Sequence, residues 1–206
     1  MLTFYMTPGS CTTGIHILLE EAEAIFSVEL VNLLAGDQHS ERYRQLNPKG
    51  SIPMLQLDAD VVLTEFEAIA CWIAWTFPRK KLLPADPLQA AKAIELMSYS
   101  VNFLHMQAFA RWFTPEKFCQ AGQDVEQMKT LALEKIQQGF AVVEVGLPET
   151  GFACGEFSIA DAALFYVEFW ADRSGMDIPP KMRQHFTAML KRPAVRQVLA
   201  EEGYRV

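Results

Sequence analysis

LTFYMTPGSCTTGIHILLEEAEA, residues 2–24, reads as a strand, a loop and a helix. The apolar run LTFYM suits a short buried strand, and TPGSC punctuates it with proline and glycine. Beyond the loop, Ile15, Leu18, Leu19 and Ala22 recur at i, i+3, i+4 and i+7, the period of an amphipathic helix. Ser10 and Cys11 therefore fall where that helix begins. A helix start presents unpaired N–H groups and the positive end of the peptide dipole. Such a place favours a thiolate, either that of Cys11 itself or one brought by a ligand, and lowers a thiol pKa below about 8.5. The plainer reading makes Ser10 a cap beside a small, half-buried Cys11. Gly14 occupies the position of a second redox cysteine, so a dithiol cycle has no second thiol.

Outward from this stretch the first 77 residues keep alternating between strand and helix. FSVELVNL (26–33) is a second β-rich run, and two strands joined through a helix lie parallel with a right-handed crossover. PMLQL and VVL flank Asp58-Ala59-Asp60, a polar connection suited to an antiparallel hairpin. Thr64 then opens a helix with Ala68, Ile69, Trp72, Ile73 and Phe77 on its apolar face. The expected fold is a βαβ-ββα domain over residues 1–77. PRKKLLPADP (78–87), with three prolines and a basic cluster, is a linker. Residues 88–206 show helical periods only: one helix from Asp86-Pro87 to about Phe113, a second over about 124–145, and a third opened by Ser158-Ile159-Ala160-Asp161. Pro179-Pro180 and Pro193 each open a shorter one.

The 206 residues are half hydrophobic and 21% charged, with a net charge of -7. That balance argues against a broad nucleic-acid surface. No apolar segment is long enough to span a bilayer, and no secretory signal is visible at the N-terminus. The four cysteines form neither a CxxC pair nor a zinc-spaced cluster. A reduced cytoplasmic protein without a metal site is the expectation.

Two further stretches carry candidate chemistry. In NPKGSIP (47–53), a cis Ile52–Pro53 bond would leave the Ile52 N–H and C=O to pair with an extended peptide; a trans proline at a strand start is the alternative. In LTEFEAI (63–69), Thr64 and Glu67 fit a capping box and Glu65 lies in the first helical turn. The same stretch suits an amino-acid head group, its carboxylate at the helix N-terminus and its ammonium on Glu65.

FYMTPGSC, NPKGSIP, LTEFEAI and SIADAALF, in this order, resemble the motifs of the cytosolic glutathione transferase family, most closely its bacterial beta-type branch. The resemblance spans essentially the whole chain. It implies a thioredoxin-like first domain, an all-helical second one, and glutathione as co-substrate. It also implies contacts to glutathione from Lys49, Ser51, Ile52, Pro53, Glu65 and Phe66, with chemistry at Cys11 and Ser10. Ser98, Asn102 and His105, spaced i, i+4, i+7 on the long helix, would add a polar stripe facing that site. On that helix Phe109, Trp112 and Phe113, with Tyr166 and Trp170 from a later one, are candidate walls for a small apolar electrophile. A homodimer without nucleic-acid or membrane partners is implied as well. Two departures stand out. Phe66 replaces the usual small residue, losing one hydroxyl contact worth about 1.5–3 kcal/mol. Met106 replaces a basic residue beside His105. The competing readings are a thiol transferase or reductase acting through Cys11, and a non-catalytic binding protein of this fold. His16, between Ile15 and Ile17, is read as a helix-surface residue.

Overall fold

A computed structural model of the protein describes residues 1–119 and 124–205. By contact, the chain divides into two compact units, Met1–Ala85 with Leu190–Val206, and Asp86–Met189. The final segment thus joins the first unit, whereas the sequence places it with the other helices.

In the first unit, β1 (Leu2–Met6), β2 (Phe26–Leu30), β3 (Met54–Asp58) and β4 (Val61–Thr64) form a sheet of order β2-β1-β3-β4. β1 pairs in parallel with β2, Phe4 opposite Val28, and antiparallel with β3, Phe4 opposite Leu55. The crossover between β1 and β2 is α1 (Thr12–Glu21), so β1 is central and its inner residues Phe4 and Met6 are buried. The β3–β4 hairpin turns at Asp58-Ala59-Asp60, as its polar residues predict. A short α2 (Glu41–Leu46), capped by the Ser40 hydroxyl, has no counterpart in the sequence reading. It brings Tyr43 against Tyr5, Val31 and Met54. α3 (Phe66–Thr76) and α9 (Pro193–Glu201) both pack on α1. Arg192 closes the α9 side with a two-pronged ion pair to Glu21, at 2.7 and 2.8 Å.

The second unit is helical throughout. α4 (Pro87–Tyr99) starts where Asp86 accepts a bond from the Gln89 N–H. From Ser100 to Phe109 the chain continues as a π-helix before α5 (Ala110–Phe113), in place of the single α-helix expected. α6 (Val125–Gly146), α7 (Ile159–Arg173) and α8 (Pro180–Leu190) complete the unit. Every residue of α7 from Ile159 to Ala171 is buried, so this helix is the core of the unit. Gly139 lets α6 approach the π-helical stretch: a Cβ there would stand 2.5 Å from Leu104 and 2.9 Å from Phe103.

Candidate active site

Two hydroxyl groups tie the loop between β1 and α1 to itself. Ser10 Oγ accepts from the Thr12 N–H at 3.1 Å and lies 2.7 Å from Thr12 Oγ1. Thr12 Oγ1 in turn donates to the Thr7 carbonyl at 2.9 Å. Each hydroxyl has one proton to give, so the proton between the two hydroxyls comes from Ser10. Ser10 is thus committed inside the loop, as a cap residue would be.

Cys11 is the N-cap of α1, but its side chain makes no capping bond. It is 6% exposed, with Sγ 4.0 Å from the Ile52 carbonyl. Burial pushes the thiol up to about 12, overriding its own N–H, the Ser10 side chain and the Thr12 N–H, which act in the other direction, while Glu65 adds to the rise. The expectation of a lowered Cys11 pKa is therefore corrected: loss of hydration outweighs the helix end. At neutral pH Cys11 is a thiol.

The Ile52–Pro53 bond is cis. Ile52 is half-buried, Pro53 is buried, and among the described residues the Ile52 N–H makes no hydrogen bond. The preceding turn is held by the Ser51 carbonyl, which accepts from the Tyr43 hydroxyl at 2.7 Å and from Asn47 Nδ2 at 2.8 Å. Lys49 reaches from the same turn to Glu65 Oε1 at 2.6 Å and Thr64 Oγ1 at 2.9 Å. Glu65 and Lys49 are both about half exposed.

At the start of α3 the structure departs from the expected capping box. Thr64 still belongs to β4, and the cap is Glu65, held at φ 71° without a side-chain capping bond. Glu65 consequently stands one residue before the first turn. Phe66 opens the helix with its ring buried, 3% exposed, so it does not lie over an open surface.

The stripe of Ser98, Asn102 and His105 is divided. Asn102 Nδ2 donates to Ser98 O and Oγ, both at 3.1 Å. His105 packs instead edge-on against Trp170, 4.8 Å between ring centres, and against Tyr166, whose hydroxyl lies 3.4 Å from its Nδ1. The π-helical turns explain this: each takes more residues than an α-turn, so residues seven apart no longer align. Burial lowers the His105 pKa to about 4, leaving a neutral ring at neutral pH. Of the expected aromatic walls, Phe109 and Tyr166 are core residues, while Phe113 is half exposed and stacks on Phe109.

Further features of the structure go beyond the sequence reading or reverse it. Glu202, just past α9, accepts from the Gly9 N–H and the Thr13 hydroxyl, both at 2.7 Å, and so holds the Ser10–Cys11 loop from behind. Gly9, at φ 71°, has no room for a side chain: a Cβ would fall 1.9 Å from the Tyr204 hydroxyl. His16 is 3% exposed and bonds to Glu202 at 3.0 Å, which corrects its reading as a surface residue. In the helical unit His185 lies buried between Asp161 and Glu168, at 3.0 and 2.9 Å. Ser158-x-x-Asp161 is a visible motif, but residues 17 and 24 positions from His185 leave no local pattern.

Residues 9–75 match the family model "Glutathione S-transferase, N-terminal domain", and residues 105–201 match "Glutathione S-transferase, C-terminal domain". The chain is 31% identical to glutathione S-transferase GstA of Escherichia coli O157:H7 over the full length of both. A Sulfitobacter glutathione transferase homolog, solved with bound glutathione, superposes with a TM-score of 0.90 at 30% identity over 98% of each chain. The bacterial beta-class glutathione S-transferase of Sphingomonas chungbukensis gives a TM-score of 0.84 at 30% identity, over 98% of this chain and 100% of that one.

Proposed function

The chain belongs to the glutathione S-transferase family, and we propose how its own residues serve the reaction. It is a glutathione transferase, with glutathione as co-substrate. In our reading the cysteinyl part of glutathione pairs with the Ile52 backbone beside Pro53, and Ser51 and Lys49 border it. The γ-glutamyl ammonium meets Glu65, and its carboxylate takes the positive end of α3 at Phe66. The thiolate lies at the start of α1 and attacks a small apolar electrophile.

The observation that carries this assignment is Cys11 buried at the start of α1 beside the Ile52 carbonyl, where burial pushes its thiol up to about 12. A neutral thiol donates a hydrogen bond to a bound thiolate and is a poor nucleophile itself. This favours conjugation over thiol transfer through Cys11. Ser10, committed to Thr12, shapes the loop.

We further assign a homodimer, supported by the outer face of α3, where Trp75 is 67% exposed and an apolar recess is lined by Leu63, Ala68, Cys71 and Trp72. A cytoplasmic role in detoxifying electrophiles fits four free cysteines. No helix among the described residues is long and apolar enough to cross a membrane.

Titration calorimetry with glutathione and with S-methyl glutathione, in buffers of different ionisation heat, tests the assignment. Glutathione is expected to release close to one proton near neutral pH, and the methylated peptide none. Cys11→Ala should reduce turnover by roughly 10–100-fold, one hydrogen bond to a charged group, and Ser10→Ala by less. A larger loss in Ser10→Ala would move the donor role to Ser10.

A further inference from the structure

α1 and α9 bring together three side chains that are assigned no contact with glutathione. His16 and Glu20 share one face of α1 at i and i+4, and Glu201 ends α9 beside them. One ligand atom from each lies within 4.8 Å of the others. His16 Nδ1 is 3.0 Å from Glu202 Oε1. That carboxylate is itself buried, 1% exposed at the side chain, with its other oxygen taking Gly9 and Thr13. A carboxylate accepts, so Nδ1 carries the proton. In a neutral ring the lone pair then sits on Nε2. This atom is buried and has no hydrogen bond among the described residues. It faces Glu201 Oε2 at 3.3 Å, while Gln197 holds Glu201 Oε1 at 3.0 Å.

A lone pair 3.3 Å from one carboxylate oxygen, with the Glu20 carboxylate close by, is a repulsive arrangement that a cation relieves. We propose that His16, Glu20 and Glu201 bind a divalent transition-metal ion such as Zn²⁺, with Glu202 as the carboxylate that orients the imidazole. Bonds of about 2.0–2.2 Å at tetrahedral angles set neighbouring ligand atoms about 3.3–3.5 Å apart, which the 3.3 Å separation of His16 and Glu201 meets. One imidazole and two carboxylates suit zinc, whereas calcium and magnesium prefer oxygen alone. The carboxylate–imidazole–metal order is the usual way a ligating histidine is held. Glu201 is 48% exposed, so the ion enters from solvent and a water completes its shell. Local spacing hides such a site, because its ligands come from two helices at opposite ends of the sequence. Once bound, the ion ties the end of α9 to α1 directly behind the loop that Glu202 holds.

The test uses the full chain, stripped with chelator and titrated with Zn²⁺ in a calorimeter and with Co²⁺ in a spectrophotometer. One ion per chain is expected, with the visible bands of tetrahedral cobalt, no near-ultraviolet sulfur band, and a higher Tm in Zn²⁺. Glu20→Gln and Glu201→Gln, both at solvent-reached positions, should each weaken binding by at least about tenfold. The proposal is overturned by no saturable uptake, which leaves only a proton on His16. A sulfur-to-cobalt band, marking the cysteines, or undiminished binding in the double variant would overturn it as well.

Discussion

The pattern of a hydroxyl residue followed three positions later by an acid occurs before two helices, with opposite outcomes. At α7, Ser158 accepts from the Ala160 N–H, and Asp161 returns to the Ser158 N–H at 2.8 Å. Asp161 also accepts from the Ala153 N–H and from His185. At α3, Thr64 stays in its strand, Glu65 takes the cap with a positive φ, and no capping bond forms. The Thr64 hydroxyl serves Lys49 instead. At α4, α6 and α7 the chain answers the helix start with its own side chains. In the unit proposed to bind glutathione, the N-cap residues Cys11 and Glu65 make no side-chain capping bond, although Ser10 accepts from the Thr12 N–H, and the positive ends of α1 and α3 suit a ligand's anions.

Asp161→Ala should break the comparison hardest. It removes the box, the Ala153 contact and one of the two carboxylates on a buried histidine. A loss of about 3–5 kcal/mol in urea denaturation is expected for such a buried pair. A loss near that of an ordinary cap would mean that His185 does not depend on Asp161. The same cluster sets a pH dependence. Burial alone would lower the His185 pKa, yet Glu168 and Asp161 raise it to about 10. A folded value above the unfolded 6.5 gives stability that is complete below about pH 6.5 and lost as pH rises through about 10. Tm measured from pH 6 to 10.5 should fall accordingly, and a flat profile would remove the charge from His185. The smallest effects sharpen the contrast. Ser158→Ala should cost about 1 kcal/mol, whereas Thr64→Val should stay within about 0.5 kcal/mol, both by chemical denaturation.

Much of this arrangement is readable from the chain alone where the cause is local. Strand, loop and helix in residues 2–24, the hairpin at residues 58–60 and the Ser158 box each follow from neighbours in sequence. The cis Ile52–Pro53 bond stood in NPKGSIP as one of two open readings. The misreadings share another cause, the rest of the fold acting at a distance. Cys11 loses its hydration to packing that the loop does not encode, so its thiol rises where the helix end alone would lower it. His16 looks amphipathic by period, but α9 covers the face on which it lies. The π-helical stretch turns His105 away from Asn102, and the motif at Thr64 yields to the strand that delivers it. Glu202 is invisible from the loop it supports.

That last contact has a consequence for the order in which the molecule is made. Gly9 and Glu202 are 193 residues apart. At about 5–20 residues per second, a ribosome needs roughly 10–40 s to deliver the carboxylate after the loop has been synthesised. During that interval β1 and α1 exist without the anchor that shapes the turn between them. The loop at Gly9 is therefore completed only after Glu202 has been delivered, long after its own residues have been joined.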